Sequence, residues 1–131
     1  MQIAFIGLGA MGRHMAANLA RGGHAVRGYD VRPDALAGVT APGLAQVATL
    51  AEAVRGADAV LTSLPDTPDV ESVLVGAGGA IEHVAPGALA VDFSTISPAA
   101  TRRMAERFGE RGVALLDAPV SGGVPGAEAG R

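Results

Sequence analysis

Six residues, Gly7-Leu8-Gly9-Ala10-Met11-Gly12, restrict this chain more than any other feature. They follow the short apolar run Ile3-Ala4-Phe5-Ile6 without a gap and run straight into a helical pattern. The spacing G-x-G-x-x-G at a strand-to-helix junction assigns each glycine a separate task. Gly7 permits a turn too tight for a side chain, Gly9 lets backbone N–H groups approach a ligand, and Gly12 lets the helix lie close to the strand. A helix N-terminus at this point offers unpaired donors and a positive dipole end, which suits a pyrophosphate. An acidic residue, Asp30, closes the next apolar run eighteen residues after Gly12, near the spacing of a ribose-binding carboxylate. A glycine-rich turn that binds nothing is the alternative; the strand, helix and acid together favour a dinucleotide.

The rest of the chain alternates short apolar runs with helical segments. Strands are expected at about 2–6, 25–29, 43–45, 57–63, 88–93 and 113–116. Helices are expected from near Met11 to Arg21, from Pro33 to Gly38, over 50–55, 69–75 and onward from Pro98. Met11, Met15 and Leu19 would face the sheet in the first, Met104 and Phe108 in the last. Ser97 is a plausible N-cap, with Pro98 at the first helical position. Six strands alternating with helices imply an α/β fold: a doubly wound parallel sheet of Rossmann type, three layers α/β/α, strand order 3-2-1-4-5-6. All 131 residues read as one dinucleotide-binding domain.

Composition narrows the chemistry. The chain has no cysteine, which excludes disulfides and thiolate metal sites. His14, His24 and His83 are scattered, so no metal is expected. A net charge of −3 argues against general affinity for nucleic acid. No apolar stretch approaches a membrane span and no signal peptide is evident, so a cytoplasmic location is expected. All ten basic residues are arginine, so these residues supply no amine nucleophile and no lysine acid.

In an open α/β sheet, ligands bind outside the carboxyl ends of the strands. The unusual loops fall there: Gly7 to Gly12, Asp30-Val31-Arg32, Leu64 to Thr67, Ser94 to Ser97, and Ala118 to Gly123. Asp30 would accept hydrogen bonds from the adenosine ribose and repel a 2′-phosphate, which favours NAD over NADP. Arg32 reads as a solvated surface arginine, with contact to a 2′-phosphate as the alternative. Ser121-Gly122-Gly123 can form a nest of N–H groups for an anionic oxygen, or an ordinary tight turn. Ser94 and Thr95 read equally as caps of the following helix. Asp92 and Asp117 end strands but give no reason to be called a catalytic pair.

Three ordered segments resemble the β-hydroxyacid dehydrogenases. They are Gly7 to Gly12 with Met15-Ala16-Ala17-Asn18-Leu19; Asp92-Phe93-Ser94-Thr95-Ile96-Ser97-Pro98; and Asp117-Ala118-Pro119-Val120-Ser121-Gly122-Gly123, continued by Gly126-Ala127. The resemblance implies hydride transfer between NAD(P) and a small 3-hydroxy acid or its semialdehyde. It implies that Gly7, Leu8, Gly9, Ala10, Met11, Gly12, Asp30, Val31, Arg32, Leu64 and Pro65 hold the cofactor and that Thr95 lies near the nicotinamide. Ser121, Gly122 and Gly123 would hold the substrate carboxylate. The family's proton-transfer lysine belongs to a following all-helical domain that also builds the dimer. Neither falls within these residues, so no catalytic residue is expected here and this segment alone should be inactive. Decarboxylating 6-phosphogluconate dehydrogenases, which typically carry Asn-Arg where this chain has Asp30-Val31, and imine reductases are related alternatives. A dinucleotide-binding module without catalysis is the alternative from another class.

Overall fold

The computed structural model describes residues 1–118 and Ala127. In chain order the elements are β1 (Gln2–Ile6), α1 (Gly12–Arg21), β2 (Ala25–Tyr29), β3 (Leu44–Gln46), α2 (Leu50–Val54), β4 (Ala59–Thr62), α3 (Thr67–Val75), a 3-10 turn (Ala80–Glu82), β5 (Leu89–Asp92), α4 (Pro98–Glu110) and β6 (Ala114–Asp117). The six strands form one parallel sheet in the order β3-β2-β1-β4-β5-β6, as expected. Strand β1 sits at the centre, with Ile3 between Val26 and Ala59 and Ile6 between Tyr29 and Thr62.

Each sheet face carries its own core. On one, Ala4, Ile6, Val60, Ala90 and Leu115 meet α2, α3 and α4 through Val54, Val70, Leu74, Met104 and Phe108. On the other, Ile3, Phe5, Val26, Ala59 and Leu61 meet α1 through Ala16 and Ala20. Alternate residues of β1 serve opposite faces, as a period of two requires, which is why the whole run is apolar. Phe5 and Phe93 stack with ring centroids 6.4 Å apart. On the same face Leu89 and Leu116, in β5 and β6, stay exposed.

Several boundaries differ from the sequence expectation. In α1 the residues pressed on the sheet are Gly12, Ala16 and Ala20, with Met15 and Leu19 only partly buried beside them. Small residues at four-residue spacing bring the helix axis closer than methionines could. The expected helix from Pro33 to Gly38 is a series of tight turns, with Ala37 N bonded to Asp34 O and Val39 N to Leu36 O. Helix α3 begins at Thr67, because Asp66 accepts a bond from Thr67 N and Pro68 tolerates the first turn. Ser97 does cap α4, accepting from Ala100 N at 3.4 Å. Strand β6 runs to Asp117 and sets it beside Asp92 in register.

Phe108 is fully buried beneath β5 and β6. Phe108→Ala is expected to cost about 3–5 kcal/mol, read as a lower midpoint in urea unfolding.

Candidate functional site

The turn after β1 begins at Gly7, whose φ of +97° is open to glycine but strained for other residues. A Cβ on Gly7 would overlap the Ser63 carbonyl oxygen, so the turn presses directly against the end of β4. A Cβ on Gly12 would overlap the Gly7 carbonyl oxygen and come within 3.3 Å of the Phe5 ring. Gly9 has open space where its side chain would be. The three glycines therefore do what their spacing implies: one turns, one stays clear and one permits contact.

Helix α1 starts without a side-chain cap at Met11. Its first-turn bonds begin with Arg13 N to Gly9 O, and the N–H groups of Gly9, Ala10, Met11 and Gly12 are given to no acceptor among the described residues. Uncapped donors at a helix N-terminus form an anion site, strengthened by the helix dipole.

Asp30 lies at the end of β2, its side chain 12% exposed. One carboxylate oxygen accepts from Leu8 N at 2.8 Å, tying the glycine turn to the neighbouring strand. The other accepts from Arg32 N at 2.9 Å, an Asx turn, and from Arg32 Nε at 3.3 Å. Burial pushes the Asp30 carboxyl up, but these N–H bonds from Arg32 and Leu8, with the Arg32 charge, outweigh it and hold the group below its ordinary 3.8. The Arg32 guanidinium also donates to Leu8 O at 3.2 Å. Arg32 is thus a surface arginine, its side chain 60% exposed, that is also fastened across the turn.

These parts border one cleft of about 650 Å³ at the carboxyl edge of the sheet. Gly7, Gly9, Ala10, Met11 and Gly12 form its floor, and Asp30, Val31 and Arg32 one end. Leu64 and Pro65 form the opposite wall, joined by Ser63. Leu8 does not line it: its side chain is fully buried under Gly28, and only its backbone serves the site. Thr95 is exposed and lies outside the cleft wall. Ser121, Gly122 and Gly123 fall outside the described residues. Sequence reasoning missed Ile6, Tyr29 and Ser63 and the α3 residues Asp69, Ser72 and Val73, which complete the lining. Their spacing, complementary to buried Val70 and Leu74, was a usable signal, since positions three and four apart share a helix face.

Among the described residues no cluster of side chains could hold a metal ion, and no helix is long and apolar enough to cross a membrane. Asp92 and Asp117 are neighbours across β5 and β6, but Asp92 is buried and bonded to Thr62 and Ser94 while Asp117 is exposed. They do not share a cavity wall with the glycine turn.

Because the folded Asp30 carboxyl titrates below its unfolded value, its contribution to stability is complete above that value and is lost as pH falls through the folded one. The stability difference between the unmodified chain and Asp30→Asn is therefore expected to be constant above about pH 5 and to shrink below about pH 4, as measured by urea unfolding at each pH.

Comparison with known proteins agrees with this geometry. Residues 2–131 match the family model described as the NAD binding domain of 6-phosphogluconate dehydrogenase. The chain is 44% identical over 129 residues to an NAD-dependent L-serine dehydrogenase of Pseudomonas aeruginosa, covering 98% of this chain and 43% of that protein. It is 44% identical over 128 residues to a 3-hydroxyisobutyrate dehydrogenase of the same organism, with the same coverage. A solved structure of Mycobacterium tuberculosis 3-hydroxyisobutyrate dehydrogenase with L-serine superposes with a TM-score of 0.88 at 43% identity, over 97% of this chain and 43% of that one. The chain thus spans less than half the length of the relatives it matches. With a match that runs through nearly every residue, the chain belongs to the family of the NAD binding domain of 6-phosphogluconate dehydrogenase, whose cofactor is a nicotinamide dinucleotide.

Proposed function

We propose that this chain is the cofactor-holding part of an NAD-dependent oxidoreductase that moves a hydride between the nicotinamide and a small 3-hydroxy acid or its semialdehyde. The observation that carries the reading is the cleft itself: four uncapped N–H groups at Gly9–Gly12 beside an ionised, fixed carboxylate at Asp30. The N–H groups would take the pyrophosphate, and Asp30 the adenosine ribose through lone pairs left on the oxygen that meets Leu8. Tyr29, Val31 and Val73 offer apolar surface at the adenosine end, and Leu64 and Pro65 line the way toward β5. When bound, the nicotinamide supplies the hydride acceptor or donor.

Asp30 and Arg32 decide between cofactors. A negative carboxylate repels a 2′-phosphate, and the Arg32 guanidinium that could accept one is already engaged by Asp30 and Leu8. NAD is therefore the cofactor of this reading. The substrate class rests on the resemblance and on relatives named for 3-hydroxyisobutyrate and L-serine, both small hydroxy acids. Ser121, Gly122 and Gly123 would meet the carboxylate, and Thr95 the nicotinamide end. No lysine occurs in these 131 residues, so a lysine-dependent proton transfer is not theirs to perform. That same observation favours, as a second reading, dinucleotide binding without turnover.

Titration with NADH and NADPH tests the proposal. NADH is expected to bind more tightly, and Asp30→Ala to weaken it about tenfold or more. Preference for NADPH would move the role to Arg32 and overturn the cofactor assignment.

A further inference from the structure

Strands β4 and β5 pair at a constant offset of thirty residues, ending with Thr62 opposite Asp92. The offset does not stop where the strands do. Thr62 Oγ1 donates to Asp92 Oδ1 at 2.8 Å, Leu64 N donates to Ser94 Oγ at 2.8 Å, and Ser97 N donates to Thr67 Oγ1 at 3.1 Å. Each of the three bonds spans thirty residues. Side-chain oxygens thus continue a ladder that backbone carbonyls can no longer supply, because β4 turns into α3 while β5 enters its loop. Ser94 is held twice, since its own N–H also donates to Asp92 Oδ1 at 3.1 Å. Thr62, Asp92 and Ser94 are buried, so the two bonds to Asp92 Oδ1 are shielded from competing water, whereas the Leu64–Ser94 bond is half-buried and the Ser97–Thr67 bond exposed.

The two loops joined in this way face different things. Leu64 and Pro65 are cleft wall, whereas the Ser94–Ser97 loop stands outside it and exposes Thr95. We infer that Ser94, anchored on Asp92, and Thr67, which accepts from Ser97 N, form a clip that fixes the gap between that wall and the Thr95 loop, and so positions the nicotinamide half of the dinucleotide. The inference rests on the cofactor reading above. On that reading the adenosine and pyrophosphate meet the ends of β1 and β2, which leaves the nicotinamide half to the wall after β4, beside the loop that follows β5. Leu64 N is spent on Ser94 and is no donor to a ligand, so the wall acts through shape and placement. Ser94 and Thr67 are positioning residues that touch no reacting atom.

Binding of NADH and of ADP-ribose, which lacks the nicotinamide, separates the two halves of the site. In this chain Ser94→Ala and Thr67→Val are expected to weaken NADH about fivefold or more, with ADP-ribose changed less than about twofold. Thr67→Ser, which keeps the oxygen, is expected to retain NADH binding. Unchanged NADH affinity in Ser94→Ala and Thr67→Val would overturn the inference. So would equal weakening of both ligands, which is the mark of a clip that only holds the fold, or loss of NADH in Thr67→Ser. If the unmodified chain binds ADP-ribose, the cofactor reading survives any of these results. If it binds neither ligand, that reading fails and takes the inference with it.

Discussion

The close approach of Gly12 to the Gly7 carbonyl is the contact on which the molecule turns. It requires that helix α1 begin within one tight loop of β1 and lie almost in touch with it, near the Phe5 ring. Alanines at positions 16 and 20 extend that closeness along the helix, so the second layer packs backbone near backbone over the central strands. The same proximity leaves the first N–H groups of α1 without a capping side chain. A packing requirement and a binding surface therefore come from one geometric condition. Neither could be relaxed without the other.

Polar side chains do a matching task at the strand ends. The last backbone bonds of the sheet are those accepted by the carbonyls of Ile6, Tyr29, Thr62 and Asp92. Beyond those residues Asp30 fastens the β1 turn to β2, and the thirty-residue ladder fastens the β4 loop to that of β5. These bonds tie the loops that border the crevice to one another and to the strands beneath them.

Much of the architecture was legible in the sequence. The apolar runs of β1 and β4, the double glycine after α1 and the Ser97-Pro98 start of α4 each carry a local physical signal, and strand order follows from handedness once the alternation is seen. The glycine turn and Asp30 were legible as parts of one candidate site because spacing reports them, and they border the same cleft. What escaped depended on partners far away in the chain. Nothing around Arg32 says that its side chain crosses to Leu8, and nothing in Leu8 says that Gly28 opens a pocket for it. The Pro33 to Gly38 stretch has helical composition but ends in tight turns, because three-residue bonds and the tie from Gln46 to Arg32 satisfy its backbone first. The lining from α3 required knowing which side of that helix the sheet would cover.

The position of β1 also sets an order of assembly. It is made before the strands that flank it, and its Ile3 pairs with Ala59 across 56 residues. At synthesis rates of about 5–20 residues per second, roughly 3–11 s pass before β4 has left the ribosome. Through that interval a largely apolar strand has one edge uncovered, and Gly7 has no Ser63 carbonyl to close against. The glycine turn, made before its neighbours, is consequently among the last parts of the cleft to close.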